Sequence, residues 1–243
     1  MKAGGHNGII EGEGSLGSIF EPVALQSAIE QTLTRLLNAI KLGLLPPGSR
    51  LPAERELCQR LAISRSTLRQ ALQQMVSSGH LRAVRGRGGG TFVSDAPPPP
   101  RPSRDLVRSW REICDRRRAV ELAAATLAAE RATPDDVGRL RRLVDRMAET
   151  DEQLPGRDTL DRRFHICIAE MARSRPLLSM SVQVQGILGD LIAAVGDGLT
   201  QPMAHAQHLM LAEAIETGDE VRSLNTMAEH LRCTEDVLAL ALA

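Results

Sequence analysis

Apolar positions in the first third of the chain recur at helical spacing. Leu25, Ile29, Leu33, Leu36, Leu37, Ile40 and Leu44 share one stripe, which Pro46-Pro47-Gly48 ends, and this predicts a first helix. Pro52 stands where a first helical turn tolerates proline, and Glu54 and Glu56 follow near the positive end of the helix dipole. That predicts a short second helix to about Leu61, burying Leu57 and Leu61. Ile63-Ser64 makes the turn, with Ser64 as N-cap. Leu68, Ala71, Leu72, Met75 and Val76 then form the apolar stripe of a third helix that ends at Gly79. Leu81–Val84 and Thr91–Ser94 are predicted to pair as a hairpin around Arg85-Gly86-Arg87-Gly88-Gly89-Gly90. Helix, turn, helix and hairpin in this order predict a helix-turn-helix with a wing.

Beyond the hairpin, Asp95-Ala96-Pro97-Pro98-Pro99-Pro100-Arg101-Pro102 can continue neither strand nor helix and favours a stiff spacer. After it, Ala, Leu, Arg and Glu dominate, and helices are predicted at roughly 104–131, 135–150, 158–173, 176–196, 202–217 and 219–241. The fold class is therefore mainly α: an N-terminal winged helix-turn-helix with a small β-hairpin, and a C-terminal all-α bundle of six helices. The expected organisation is a disordered extension over 1–20, the winged domain over 21–95, a Pro-rich linker over 96–103 and the bundle over 104–243.

Charge separates the two domains. The whole chain carries a formal net charge of zero. Residues 31–94 nevertheless hold ten Lys/Arg against only Glu54 and Glu56, whereas residues 97–243 hold nineteen Arg against twenty-three Asp/Glu. A basic first domain suits duplex DNA, and an acidic second domain has no electrostatic reason to grip it. Aromatic residues are scarce (one Trp, three Phe, no Tyr), which argues against a stacking platform for single strands. The four cysteines (58, 114, 167 and 233) show no paired spacing and read as reduced thiols of a cytoplasmic protein. Charges or glycines interrupt the longest apolar stretches, and residues 1–20 lack the order of a signal peptide, so no membrane association is expected.

On the third helix, Ser66, Gln70 and Gln73 point away from the apolar stripe, Arg69 lies on its flank and Arg65 in the first turn. Hydroxyls, amides and arginines at a helix N-terminus reach base edges and phosphates in a major groove. The text PPGSRLPAERELCQRLAISRSTLRQAL followed by SSGHLRAVRGRGGGTFVS resembles the winged-helix domain of the GntR family of bacterial transcription regulators over residues 24–94. The resemblance implies Arg55 on the DNA backbone, Arg65 reading a guanine, and Ser64, Ser66 and Thr67 on phosphates or base edges. It further implies Arg69 on phosphate and Arg85-Gly86 in the minor groove, with Arg50 as a further phosphate contact.

In the second domain, polar residues stand where apolar ones are expected. Asp161 and His165 are one turn apart on a helix face shared with Ile168, Ala169 and Ala172. His208 stands among Ala204, Leu211, Ala212 and Ile215, and His230 near Met227, Thr234 and Val237. Polar groups aimed into a core need partners. Hydrogen bonds to single core histidines satisfy that need, and so does a divalent metal held by facing helices. Residues 112–232 resemble the FCD-type ligand-binding domain of the FadR subfamily through Arg117 with AVELAAATLAAERAT, then DRRFHICIAEMA and HLMLAEAIETGDEVRSLNTMAEHL. The resemblance implies Asp161, His165, His208 and His230 as metal ligands, with zinc, nickel or manganese all compatible with the donor set. Ser174-Arg175 replaces the Gly-Asn common in the family, and six helices suggest its shorter, VanR-like branch. His205 is a competing ligand or an exposed polar residue. Arg117 is expected to orient Asp161, to bind an effector carboxylate, or to form a surface ion pair with Glu121.

The function these readings predict is a homodimeric, metabolite-responsive regulator, a repressor rather than an enzyme. It would read an inverted-repeat operator in double-stranded DNA and respond to a small organic acid at the metal site. A metal-free regulator responding to an acyl-CoA and a DNA-tethered metalloenzyme are the alternatives.

Overall fold

The computed structural model describes residues 27–98, 104–149, 157–195 and 204–242. The expected N-terminal extension and most of the Pro-rich linker lie outside these residues. α1 spans Ala28–Lys41, α2 Glu54–Leu61 and α3 Arg65–Ser77, followed by β1 (Leu81–Val84) and β2 (Gly90–Val93). The bundle comprises α4 (Arg104–Arg108), α5 (Trp110–Arg131), α6 (Pro134–Glu149), α7 (Arg157–Met171), α8 (Arg175–Val195), α9 (Ala204–Glu216) and α10 (Glu220–Ala241).

Side-chain capping starts α1: Ser27 Oγ accepts from the Glu30 amide, and Glu30 returns the bond to the Ser27 amide. Ser64 caps α3 as the sequence predicts, accepting from the Thr67 amide at 3.1 Å. Pro52, however, lies before α2 rather than in its first turn. The Leu51 amide is committed to Thr91 O at 2.8 Å, which holds this stretch against the hairpin. Leu36, Ile40, Leu57, Leu68, Leu72, Met75, Leu81 and Val93 form the core of the winged domain. The hairpin register is Leu81↔Val93 to Val84↔Gly90, so β2 begins and ends one residue earlier than expected. Gly86 and Gly88 take positive φ (96° and 85°) at the tip, a conformation that favours glycine.

The bundle core gathers Val120, Leu140, Phe164, Ile168, Met171, Leu211, Ile215 and Leu231 from α5, α6, α7, α9 and α10. The single helix expected over 104–131 bends at Ser109, although its ladder continues (Ser109 N to Asp105 O 3.0 Å, Ile113 N to Ser109 O 3.1 Å). The bend lays Leu106, Val107 and Trp110 against Leu188, Leu191 and Leu238. Among the described residues, seven helical segments thus stand where six were expected, because the first of them is divided at Ser109. α8 is long and apolar enough to cross a membrane, with a window of mean hydropathy 1.4. Its Leu177 and Val184 belong to the main bundle core, and Leu188 and Leu191 to the second cluster.

Asp136, in the first turn of α6, shows how tightly the bundle is tied. Its carboxylate accepts from the Thr133 amide (3.0 Å) and hydroxyl (2.8 Å), from Arg139 Nη2 (2.8 Å) and from Arg173. Burial opposes ionisation, but these donors outweigh it and hold the carboxyl at about 2. Because the folded value lies below the usual one, its stabilisation is present above about pH 4 and is lost as pH falls toward 2. At neutral pH, Asp136→Asn is expected to destabilise the protein by on the order of 2 kcal/mol. Urea unfolding at pH 7 and pH 3 checks this, since the mutational difference should shrink at the lower pH.

Candidate metal centre and nucleic-acid interface

Asp161 and His165 of α7, His208 of α9 and His230 of α10 converge, with one ligand atom from each lying within 4.8 Å of all the others. The helix period explains the meeting. Asp161 and His165 are four residues apart on α7, and the apolar stripes of α9 and α10 carry their histidines against that face. The three imidazoles are 1% exposed, whereas the Asp161 side chain is 33% exposed and forms the open edge of the cluster. His205, on the same helix as His208, stands outside this set.

The tautomers follow from the surrounding acceptors. His165 Nδ1 faces Glu121 Oε2 across 2.8 Å, and His230 Nδ1 donates to Gln207 Oε1 at 3.1 Å. The Gln207 oxygen only accepts, so the His230 proton resides on Nδ1 and its Nε2 turns a lone pair inward. The Glu121 carboxylate beside His165 Nδ1, though off the hydrogen-bonding direction, favours the same tautomer there through its charge. Those two Nε2 atoms lie 3.2 Å apart. Arg117 Nη2, 3.4 Å from His165 Nε2, is a donor near one of them. Neither ring nitrogen of His208 has a hydrogen-bond partner among the described residues. Its Nε2 lies 3.1 Å from Asp161 Oδ1, off the hydrogen-bonding direction. Facing lone pairs in a buried pocket repel unless a cation sits between them, so the donor set fits a divalent metal.

Electrostatics agree. Burial first, and then the neighbouring imidazoles, push His230 well below the ordinary histidine range. Burial lowers His208 as well, against the attraction of Asp161. Both imidazoles are therefore neutral at neutral pH, the form that a metal would require. For Asp161, burial favours the protonated form but is outweighed by the neighbouring His208, His165 and His230, which hold the carboxyl well below the usual carboxylate range.

Around this set lies a buried polar shell that sequence reasoning placed differently. Arg117 and Glu121 do pair, with Nε 3.4 Å from Oε1, but they are 3% and 1% exposed and not a surface pair. Glu121 also receives the Gln185 amide, and Arg117, His165 and Gln185 together hold it ionised despite burial. Gln207 Nε2 reaches Cys233 Sγ at 3.2 Å. Gln185 and Gln207 carry no signal in the sequence, and Glu121 reads there only as a surface partner of Arg117. All four cysteines are free, as expected, and burial pushes the Cys114 and Cys167 thiols up to about 11.

In the winged domain, Arg50, Arg55, Ser64, Arg65, Ser66, Arg69, Arg85 and Gly86 are exposed and Thr67 is half-buried. Ser64 Oγ is 2.7 Å from Ser66 Oγ and 2.8 Å from Thr67 Oγ1, which clusters three hydroxyls at the N-terminus of α3. Arg69 Nε meets Glu54 Oε2 at 3.0 Å. Arg50 Nη2 donates to Gly89 O at 2.6 Å, so its guanidinium braces the wing.

This winged helix-turn-helix joined to an all-helical domain places the chain in the GntR family of bacterial regulatory proteins. That family's model matches residues 28–93, and the FCD domain model matches residues 112–232. The HTH-type transcriptional regulator RmpR of Mycobacterium gastri is 34% identical over 82% of this chain and 75% of its own length. The L-lactate dehydrogenase operon regulatory protein of Escherichia coli is 30% identical over 77% of both chains. Among solved structures, E. coli McbR/YncC superposes with a TM-score of 0.54 at 22% identity, covering 89% of this chain and 99% of that one. The protein is thus a transcription regulator of the GntR/FCD type.

Proposed function

We propose that the protein is a metabolite-responsive repressor acting as a homodimer on an inverted-repeat operator. Its two α3 helices would enter successive major grooves, as twofold symmetry requires. Arg65 would read a guanine; Ser64, Ser66, Thr67, Arg55 and Arg69 would engage phosphates or base edges; Arg85-Gly86 would enter the minor groove. Arg50 would hold the wing in place as well as lie near phosphate.

The bundle is the sensor in this reading, and the inward lone pairs of His165 and His230 beside Asp161 and His208 carry it. These four residues would hold zinc, nickel or manganese, which supplies a Lewis-acidic position for an oxygen ligand. Arg117 places a permanent cation next to that centre, which suits a small carboxylic acid. The names of two relatives, an L-lactate dehydrogenase operon regulator and a galactonate operon repressor, concern hydroxy acids and support this class.

Native mass spectrometry with elemental analysis tests the reading. The expected result is a dimer carrying about one transition metal per chain. His208→Ala is expected to empty the site while leaving effector-free DNA binding largely intact. A metal-free dimer that rejects added zinc, nickel and manganese would overturn the site.

A further inference from the structure

The last turn of α1, which belongs to the DNA-binding domain, is seated on α7, which carries Asp161 and His165, and on α8, which brings Gln185 against Glu121. One strut starts at His165. Its Nδ1 faces Glu121 Oε2 at 2.8 Å, and Glu121 Oε1 accepts from Gln185 Nε2. The next residue on α8, Gly186, packs on Asn38 of α1 so closely that a Cβ there would lie 2.4 Å from Asn38 Oδ1. Gln185 is 0% and Asn38 6% exposed, so neither side chain has room to move independently of its neighbours. One turn further along α8, Asp190 Oδ1 holds Lys41 Nζ at 2.7 Å.

A second strut starts at Asp161. Arg162, its neighbour in α7, places Nη2 3.4 Å from the Lys41 carbonyl at the end of α1. Thr159, half a turn before Asp161, abuts Gly43, where a Cβ would stand 2.6 Å from Thr159 Cγ2. Gly43 has φ 64°, so the chain leaving α1 is fixed both by its backbone conformation and by this contact. Both struts therefore end on residues 38–43, and each begins beside a member of the cluster.

We propose that this turn of α1 is the port through which the state of the cluster reaches the DNA-binding domain, with Gln185 and Arg162 as positioning residues. Bringing His165 and Asp161 onto a common centre moves α7 against Glu121, Glu121 draws on Gln185, and α8 carries Asn38 and Lys41 with it. Coupling of this kind requires a packed connection whose contacts differ between two arrangements, and both struts supply the packed connection. The inference rests on the sensor reading above, but its test separates the two.

Hydrogen exchange of the full-length protein, followed at the amides of residues 36–45 with and without saturating zinc chloride, is the experiment. Native mass spectrometry reports metal occupancy in the same samples. In the wild type, zinc is expected to change exchange in this turn by about fivefold or more. Gln185→Leu, which keeps the volume and removes the amide, should erase that change while zinc stays bound. Asn38→Ser is the second variant, breaking the same strut at its other end should Gln185→Leu not fold. Metal bound with unchanged exchange in α1, or a full response in both variants, would overturn the proposal. If no zinc binds, the metal reading fails, and His165→Ala becomes the perturbation. A shift in α1 exchange that requires Gln185 supports the connection, and a shift indifferent to Gln185 refutes it.

Discussion

Arg65→Ala is expected to weaken binding to the cognate duplex by roughly 1–3 kcal/mol, about 10–100-fold, and to relax discrimination at one base position. Arg65 is the first residue of α3 and is exposed, just past the hydroxyl cluster of Ser64, Ser66 and Thr67. If Arg65 reads a guanine as proposed, its bidentate guanidinium contact is lost in the variant. Loss of a phosphate contact would instead weaken all sequences about equally and lower the salt dependence. Competition binding on duplexes varied one base pair at a time distinguishes the two outcomes. Equal loss across every duplex would reassign Arg65 to the backbone.

The second large effect concerns a residue that would not itself hold the metal. Glu121→Gln should lower metal affinity by about 10–100-fold while His165 itself remains. Glu121 Oε2 lies 2.8 Å from His165 Nδ1, and its negative charge favours the proton on that nitrogen, which turns Nε2 toward the centre. Glutamine can present an NH₂ to that nitrogen instead, which favours the other tautomer and removes a negative charge beside Arg117. Competitive titration of zinc against a chromophoric chelator measures the loss. Affinity equal to the wild type would show that Glu121 only neutralises Arg117.

The helices and the cluster were legible because they follow periods. Apolar stripes placed α1, α3 and α7, and polar residues breaking such stripes exposed Asp161, His165, His208 and His230. The supporting shell obeys no such rule. Glu121 lies in the stretch RRRAVELAAA, where a carboxylate four residues after Arg117 reads as a solvated pair. Its burial depends on α8 bringing Gln185 against it, a contact 64 residues away along the chain. Gln207 is hidden likewise, beside the conspicuous His208 but facing His230. The bend at Ser109 escaped notice because its helical ladder is unbroken and only the packing of Leu106 and Trp110 demands it. At Pro52 the local preference was sound, and pairing of the preceding residue with the hairpin overrode it.

The distribution of thiols gives the molecule a built-in pair of attachment points. Cys114 and Cys167 are buried with raised thiols, whereas Cys58 in α2 and Cys233 in α10 are only half-buried. Thiolate is the alkylating species, so a maleimide dye under mild conditions distinguishes the second pair from the first. One label then falls in each domain without any engineered cysteine. Because Cys233 accepts from Gln207, which holds His230, its labelling rate also becomes a clock for events at the cluster.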